Sequence, residues 1–223
     1  MESVTETSDF LKYLIRVSAN DQNGGKLPSL SDLSSELNIS VARLPEQLQV
    51  AKALGLVEVR PRTGMRKLPY DFGTAVWQSL SYAIQVDPRI FDQFSDLRIG
   101  IETAFWIRAV KLLLPEDISD LQCYIEAAWA KLKGNPIRIP HQEHRQLHMT
   151  MYRRFENPFV LGQLTSYWDA YEAVGLNVFT GYDYLEKVWQ YHEKMVEAIV
   201  EKDYESGHRL LIEHFELLYH RPI

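Results

Sequence analysis

The sequence has very little cysteine, because Cys123 is the only one in 223 residues. A single thiol excludes a disulfide within the chain and fits a reducing compartment. The chain also has no run of eighteen apolar residues, the length that a membrane-spanning helix needs. Its N-terminal stretch MESVTETSDF is acidic where a secretory signal would be basic and then apolar. We therefore predict a soluble protein of the cytoplasm with no membrane partner.

Motifs of the common enzyme classes are absent as well. The chain has no phosphate-binding glycine loop, no CxxC pair and no Ser/His/Asp arrangement. An alternative is a histidine-bound metal that activates water, which needs a placed general base. Glu143 and Glu193 adjoin histidines in the sequence, but a neighbour one residue away points about 100° round a helix. The sequence therefore favours a binding protein over an enzyme.

Positive charge is scarce overall and is concentrated in one segment. The 24 basic and 30 acidic residues give a net charge of −6, which alone argues against a nucleic-acid partner. Residues 38–70, in contrast, hold six basic and two acidic residues. Residues 71–223 hold 15 basic and 22 acidic residues, so phosphate would be repelled there. A nucleic acid would therefore bind the first segment only.

The segment from Leu27 to Pro69 has the order of elements of a winged helix-turn-helix. A cap at Ser29 or Ser31 precedes leucines spaced three to four residues apart, which predicts a short helix. Asn38-Ile39-Ser40 then predicts a tight turn. A second amphipathic helix follows and ends at Gly55, a residue typical of helix C-termini.

A β-hairpin with a basic tip follows this helix pair. The alternating stretch LVEVRP predicts a strand, Arg62-Thr63-Gly64 its turn, and MRKLP the returning strand. Basic side chains of the second helix and of the hairpin would supply most of the DNA contacts. The alternative is a solvated wing that contacts no DNA. The predicted DNA-binding residues are Ser29, Ser40, Arg43, Arg60, Arg62, Thr63, Gly64, Arg66 and Lys67.

This segment resembles the N-terminal domain of GntR-type bacterial transcription regulators. The resemblance rests on the spacing of Leu27-Pro28-Ser29, Leu33, Leu37, Ser40, Leu48, Gly55-Leu56-Val57, Arg60 and Gly64. Members of that family usually carry arginines where this chain has Val41 and Pro45, and those arginines contact bases or phosphates. The helical core therefore matches the family better than the DNA-reading surface does.

Pro45 leaves two alternatives for the second helix. If Ser40 caps the helix, a proline five residues further on removes a hydrogen bond and costs about 3 kcal/mol. If the helix begins later, Pro45 lies in its first turn, where proline is tolerated. Both alternatives predict a recognition helix that is shorter or more bent than is usual in the family.

From Tyr70 onward the sequence predicts helices almost throughout. Apolar residues recur at three-to-four spacing, and prolines interrupt the pattern. We predict a mainly α fold, with a winged helix-turn-helix domain over residues 1–69 and an all-helical bundle of six to seven helices over residues 70–223. The predicted helical segments are 72–86, 88–113, 116–133, 141–156, 158–175, 181–201 and 203–219.

Four histidines of the helical domain are candidates for a metal site. His144 and His148 lie one turn apart on one face of a helix, and His192 and His214 lie along the apolar sides of two other helices. Imidazole is a common ligand of zinc, nickel and related divalent ions, so three helices would converge on one ion. The alternative is that some or all of these histidines are core-edge residues that bind nothing.

Most of residues 75–219 resembles the FCD ligand-binding domain, which accompanies a GntR-type head in the FadR subfamily. His148, nine residues before Asn157-Pro158, fits the histidine and Asn-Pro signature of that domain. The separation of His192 and His214 fits its last two metal-binding histidines. The resemblance therefore implies a divalent metal cofactor and a small-molecule effector.

The chain departs from the FCD pattern at His144, where an aspartate is usual. The expected set of one carboxylate and three imidazoles thus becomes four imidazoles. Nitrogen ligands favour zinc or nickel over magnesium, calcium or manganese. The alternative is a site without metal, since some members of the subfamily bind their effector without one.

Arg98 and Glu102 match the early arginine–glutamate pair of the FCD domain, and we predict that they bind the effector. A guanidinium suits a carboxylate because it donates two parallel hydrogen bonds. The alternative is an ordinary helix salt bridge worth about 0.3 to 0.5 kcal/mol. Six aromatic residues leave two alternatives, since they would either line a cavity or belong to the core. They are Phe105, Trp106, Tyr152, Trp168, Tyr171 and Tyr184.

Together these patterns predict a homodimeric transcription regulator that binds a double-stranded DNA operator. We expect a repressor whose operator affinity is controlled by a small metabolite, such as an organic acid, bound in the helical domain. Two winged heads would meet successive major grooves about one turn apart, as a two-fold dimer requires. The alternative is a ligand-binding or protein-interaction module with a degenerate DNA head.

Overall fold

A computed structural model of the chain describes residues 7–18, 25–40, 42–174 and 181–219. Val41, and the last residue of the predicted segment 158–175, lie outside the described residues. The described part confirms the predicted mainly α fold, because a helix-turn-helix with a two-stranded hairpin precedes a run of helices. Its elements are α1 (Asp9–Ser18), α2 (Leu30–Leu37), α3 (Arg43–Ala53), β1 (Val57–Arg60), β2 (Gly64–Lys67), α4 (Phe72–Val86), α5 (Ile90–Val110), α6 (Pro115–Leu132), α7 (His141–Tyr152), α8 (Pro158–Ala173), α9 (Tyr182–Val200) and α10 (Tyr204–Tyr219).

The chain divides into two compact units, residues 1–78 and residues 79–223. We call the first the head and the second the bundle. The division falls within α4. Among the described residues, no helix has both the length and the apolar composition that crossing a membrane requires.

The head packs α1, α2 and α3 around one small core. Phe10, Leu33 and Leu44 are almost fully buried there, one from each helix. The backbone N–H of Phe10 donates to Oε1 of Gln47 at 2.9 Å, which ties the start of α1 to α3. The second helix of the helix-turn-helix therefore packs against both α1 and α2.

The start of α3 supports the alternative in which Ser40 caps the helix. The regular helix is bounded at Arg43, but the backbone carbonyl of Ser40 already accepts a hydrogen bond from the backbone N–H of Leu44 at 3.1 Å, which is the i to i+4 bond of an α-helix. Oγ of Ser40 accepts from the backbone N–H of Arg43 at 3.2 Å, as an N-cap side chain does, so Pro45 stands five residues after the cap and removes one helical donor. After the helix, Gly55 has a φ of 70°, and a Cβ at this position would lie 2.7 Å from the Thr74 side chain. Conformation and space both require glycine there.

The hairpin of β1 and β2 is antiparallel, with Arg60 opposite Gly64. Its turn differs from the predicted one, because residues 61–63 form it and Gly64 begins β2. The physical reason is Pro61, whose ring fixes the φ of the first turn residue and starts the turn one position earlier. Arg62 then takes a left-handed conformation with a φ of 69°.

The bundle builds one core from α5 to α10. α9 packs on α10, α6 packs on α7 and α9, and α5 packs on α8 and α10. Trp106, Leu121 and Trp189 are among its fully buried side chains. The observed helix ends differ from the predicted segments by no more than four residues. The prediction of six to seven helices in this part of the chain is confirmed for the described residues.

Local capping explains where α6 and α8 begin. The carboxylate of Asp117 accepts a hydrogen bond from the backbone N–H of Leu114 at 2.9 Å, in front of a helix whose first residue is proline. The side-chain oxygen of Asn157 accepts from the backbone N–H groups of Phe159 and Val160. Asn157 therefore separates α8 from α7, the helix that carries two of the candidate histidines.

Candidate metal centre and nucleic-acid interface

Four histidines meet inside the bundle. His144 and His148 come from α7, His192 from α9 and His214 from α10. One ring nitrogen from each histidine can be chosen so that all four lie within 4.8 Å of one another. His144 is half-buried and the other three are buried. The structure thus brings together the four predicted metal ligands, which stand up to 70 residues apart in the sequence.

Ion pairs on both sides hold α7 in place. Lys131 of α6 donates to Oε2 of Glu143 at 2.7 Å. On the other side, Arg145 donates to Oδ1 of Asp169 in α8 at 2.7 Å. These contacts fix the rotation of α7 about its axis, and with it the direction in which its histidines point.

His148 is held by two buried charged residues of α5. Its Nδ1 lies 2.8 Å from Oε2 of Glu102 and 3.0 Å from Nη2 of Arg98. Nε of Arg98 donates to Oε1 of Glu102 at 2.6 Å. The exposed fraction is 3% for Arg98 and 0% for Glu102. This pair therefore lies in the interior and differs from the weak surface salt bridge that the sequence left as an alternative to effector binding. Both carboxylate oxygens of Glu102 are engaged by neighbouring side chains.

The imidazoles are electrically neutral in this environment. Burial lowers the pKa of His144, His192 and His214 well below the usual value, and the neighbouring histidines and Arg98 lower it further. Burial also lowers the pKa of His148, although Glu102 opposes the shift. A neutral imidazole keeps one nitrogen lone pair, which is what a metal ligand needs.

Glu102 is ionised. Burial alone would raise its pKa, but the charge of Arg98 and the contact with His148 lower the pKa to about 2. The carboxylate therefore only accepts hydrogen bonds.

Several ring nitrogens of the cluster have no hydrogen-bond partner among the described residues. These buried atoms are Nε2 of His144, Nδ1 of His192 and Nδ1 of His214. A buried polar atom without a partner costs about 1 to 3 kcal/mol, so such a group commonly meets an ion or water. The donor set fits a nitrogen-preferring divalent ion such as zinc or nickel, and these four histidines would hold it.

A small cavity lies beside the histidines. Its volume is about 30 Å³, and Arg98, His144 and His214 share its lining with residues of α7, α8 and α9. The guanidinium of Arg98 stands 4.7 Å from the ring centre of Tyr167 and 4.8 Å from that of Phe215. Cation–π contact stabilises the buried charge in this position. Arg98 thus faces the cavity together with two of the candidate metal ligands.

Of the aromatic residues named from the sequence, two line the cavity, namely Tyr171 and Tyr184. Trp106, Tyr152 and Trp168 belong to the buried core instead, and Phe105 packs against it. Sequence reasoning missed further lining residues, which are Ile139, Pro140, His141, Tyr167, Leu185, Val188 and Trp189. Spacing offered a signal for one of them, because Trp189 precedes His192 by one helical turn.

The head presents basic side chains to solvent at the start of α3 and on the hairpin. Arg43, Arg60, Arg62 and Arg66 are exposed, and Lys67 is half-buried. Arg60 forms an ion pair with Glu58 at 2.9 Å.

The other predicted DNA-binding residues lie beside these cations. Ser29 accepts a hydrogen bond from the backbone N–H of Asp32 and so caps α2, and Ser40 precedes α3. Thr63 in the hairpin turn and Gly64 at the start of β2 are both exposed. A nucleic acid could therefore meet exposed cations here, together with a helix that can enter its major groove.

Comparison with known proteins adds a family and a fold. Residues 93–217 match the FCD domain family. The structure resembles GntR of Streptococcus agalactiae with 16% sequence identity and a TM-score of 0.64, covering 95% of this chain and 96% of that chain. It also resembles E. coli McbR/YncC with 18% identity and a TM-score of 0.48, covering 95% of each chain. No curated protein matches the sequence. The Streptococcus agalactiae likeness shows a shared fold.

Proposed function

The chain belongs to the FCD domain family of transcription regulators, which are not enzymes, and on this basis we propose that it is a metabolite-controlled repressor. It acts as a homodimer on a double-stranded operator in the cytoplasm. The head binds DNA, and the bundle binds a small carboxylate at a metal ion held by the four histidines. Effector binding lowers the affinity for the operator.

The exposed cations of the head support the DNA-binding part of the proposal. Arg43 lies at the first position of α3, and in helix-turn-helix proteins the N-terminal residues of the second helix contact base edges. Arg62, Arg66 and Lys67 belong to the hairpin and suit phosphates. Two heads of a dimer would bind half-sites about 34 Å apart.

One observation carries the effector part of the proposal: Arg98, His144 and His214 line the same cavity. A carboxylate between them would accept hydrogen bonds from the guanidinium and complete the coordination of an ion held by the imidazoles. The cavity is too small for a long acyl chain, so the proposed effector is a compact organic acid whose binding would enlarge the cavity.

Control of DNA binding requires two states of the dimer that the effector distinguishes. The ligand shifts the balance only by its difference in affinity for the two states. A 100-fold difference in affinity between the two states corresponds to about 2.7 kcal/mol.

The test is fluorescence anisotropy with DNA from upstream of the gene and a scrambled duplex as control. We expect selective binding of zinc-loaded protein, and its release by one member of a panel of small carboxylic acids. Equal, weak and steeply salt-dependent binding to both duplexes would favour the alternative, a ligand-binding or protein-interaction module with a degenerate head.

A further inference from the structure

The contact between Glu102 and His148 has a consequence for the metal site. We propose that Glu102 is a positioning residue that keeps the proton of His148 on Nδ1 and so leaves Nε2 free as the metal-binding nitrogen. This inference rests on the proposed metal site, but it concerns a property of the metal-free protein that can be measured separately.

Geometry places the carboxylate where it controls this proton. Oε2 of Glu102 lies 2.8 Å from Nδ1 of His148, and both side chains are fully buried. Arg98 holds the other oxygen at 2.6 Å, and the hydroxyl of Tyr152 donates to the backbone carbonyl of Glu102 at 2.7 Å. The carboxylate cannot turn away from His148 without breaking its bond to Arg98, and the Tyr152 contact holds the backbone that carries it.

Arg98 competes for the same ring nitrogen, because its Nη2 lies 3.0 Å from Nδ1 of His148. If Nδ1 accepted a hydrogen bond from Arg98, its lone pair would face the carboxylate of Glu102 at 2.8 Å, and two acceptors would repel. If Nδ1 carries the proton, it donates to the carboxylate in a charge-assisted bond. Arg98 keeps its bond to Oε1 in both cases. The shorter contact with an acceptor-only group therefore decides the tautomer.

The other ring nitrogen shows why the tautomer matters. Nε2 of His148 lies 3.1 Å from Nε2 of His192. With a proton on Nε2 of His148, the two rings would hydrogen-bond to each other, and neither nitrogen could serve as a ligand. With that proton on Nδ1, Nε2 of His148 keeps its lone pair for a cation. Carboxylates commonly orient metal-binding histidines in this way.

The test replaces the carboxylate by an amide of the same shape, Glu102→Gln. The amide oxygen would accept from Arg98, so the NH₂ group would face Nδ1 of His148 and drive the proton to Nε2. We expect zinc affinity, measured by competition with a chelator, to fall about 10- to 100-fold. The control is Glu193→Gln, which makes the same change beside His192 on a half-buried side chain that lines a different groove. That variant should bind zinc as the wild type does.

The second readout is the tautomer itself, from nitrogen-15 NMR of metal-free protein with labelled histidine at pH 8. We expect the wild type to show the His148 proton on Nδ1 and Glu102→Gln to show it on Nε2. A wild-type proton on Nε2, or an unchanged tautomer together with unchanged zinc affinity in the variant, would overturn the inference. A wild type that shows the expected tautomer but binds neither zinc nor nickel would instead refute the metal site and leave the role of Glu102 standing. The wild-type spectrum decides even if the variant does not fold.

Discussion

The head and the bundle use charge in opposite ways. In the head, Arg43 and Arg62 are exposed, and they are available to a long polyanion that approaches from solvent. In the bundle, Arg98 is 3% exposed and is surrounded by Glu102 and aromatic rings. A buried cation must be neutralised and hydrogen-bonded before any ligand arrives, whereas an exposed one is hydrated. Arginine therefore attracts a polyanion from solvent in the head, whereas in the bundle it organises the side chains of a closed site.

The largest expected effect comes from breaking the buried charge pair, by Glu102→Ala. The substitution leaves Arg98 buried without its carboxylate, so the free energy of unfolding of the bundle should fall by about 3 to 5 kcal/mol. In the head, Glu58→Ala removes the partner of Arg60, whose side chain is 68% exposed, and should cost less than about 1 kcal/mol. Urea denaturation followed by circular dichroism measures both. Similar decreases in the two variants would contradict the contrast between the units.

The next largest effect concerns the histidines. Zinc at 100 times its dissociation constant should stabilise the wild type by about 2.7 kcal/mol, because it binds the folded state only. The double variant His148→Ala with His214→Ala should not show this stabilisation, as measured by thermal unfolding with and without zinc.

Another histidine of α10 provides the control for this experiment. His208 contacts the backbone carbonyl of Thr103 at 2.9 Å and is not part of the metal-ligand cluster. His208→Ala should keep the stabilisation by zinc. Wild-type protein whose thermal unfolding does not respond to zinc or nickel would remove the metal from the proposal.

The head gives a smaller effect that should leave the bundle untouched. Arg43→Ala with Arg62→Ala should weaken operator binding, and the slope of log affinity against log salt should become shallower by about 0.9 for each phosphate that an arginine no longer neutralises. Arg16→Ala is the control, because Arg16 is an exposed cation of the same unit that forms an ion pair with Glu36 at 2.7 Å. Anisotropy at several salt concentrations measures the slopes, and stabilisation by zinc should stay unchanged. An unaltered slope would mean that another surface contacts DNA.

The sequence predicts the local features of this chain better than the contacts between distant residues. Helix spacing and prolines were enough for α4 to α10, because these are local signals. Helix α1 was not predicted, although Phe10, Tyr13 and Leu14 stand at helical spacing and are buried. The contact of Glu102 with His148 was not predictable from spacing, since it joins residues 46 positions apart on two helices. Only the packing of α5 on α7 brings them together.

Pro45 gives an effect of the opposite sign, at a position where the sequence alone left two alternatives. A proline inside a helix costs about 3 kcal/mol, so its replacement by alanine should stabilise the head by up to that amount. The carbonyl of Ser40 already accepts from the backbone N–H of Leu44, so Pro45 lies beyond the capped first turn and Pro45→Ala restores a helical donor. Urea denaturation of the head measures the difference. A change below about 1 kcal/mol would show instead that the helix begins at Arg43, since proline is tolerated in a first turn.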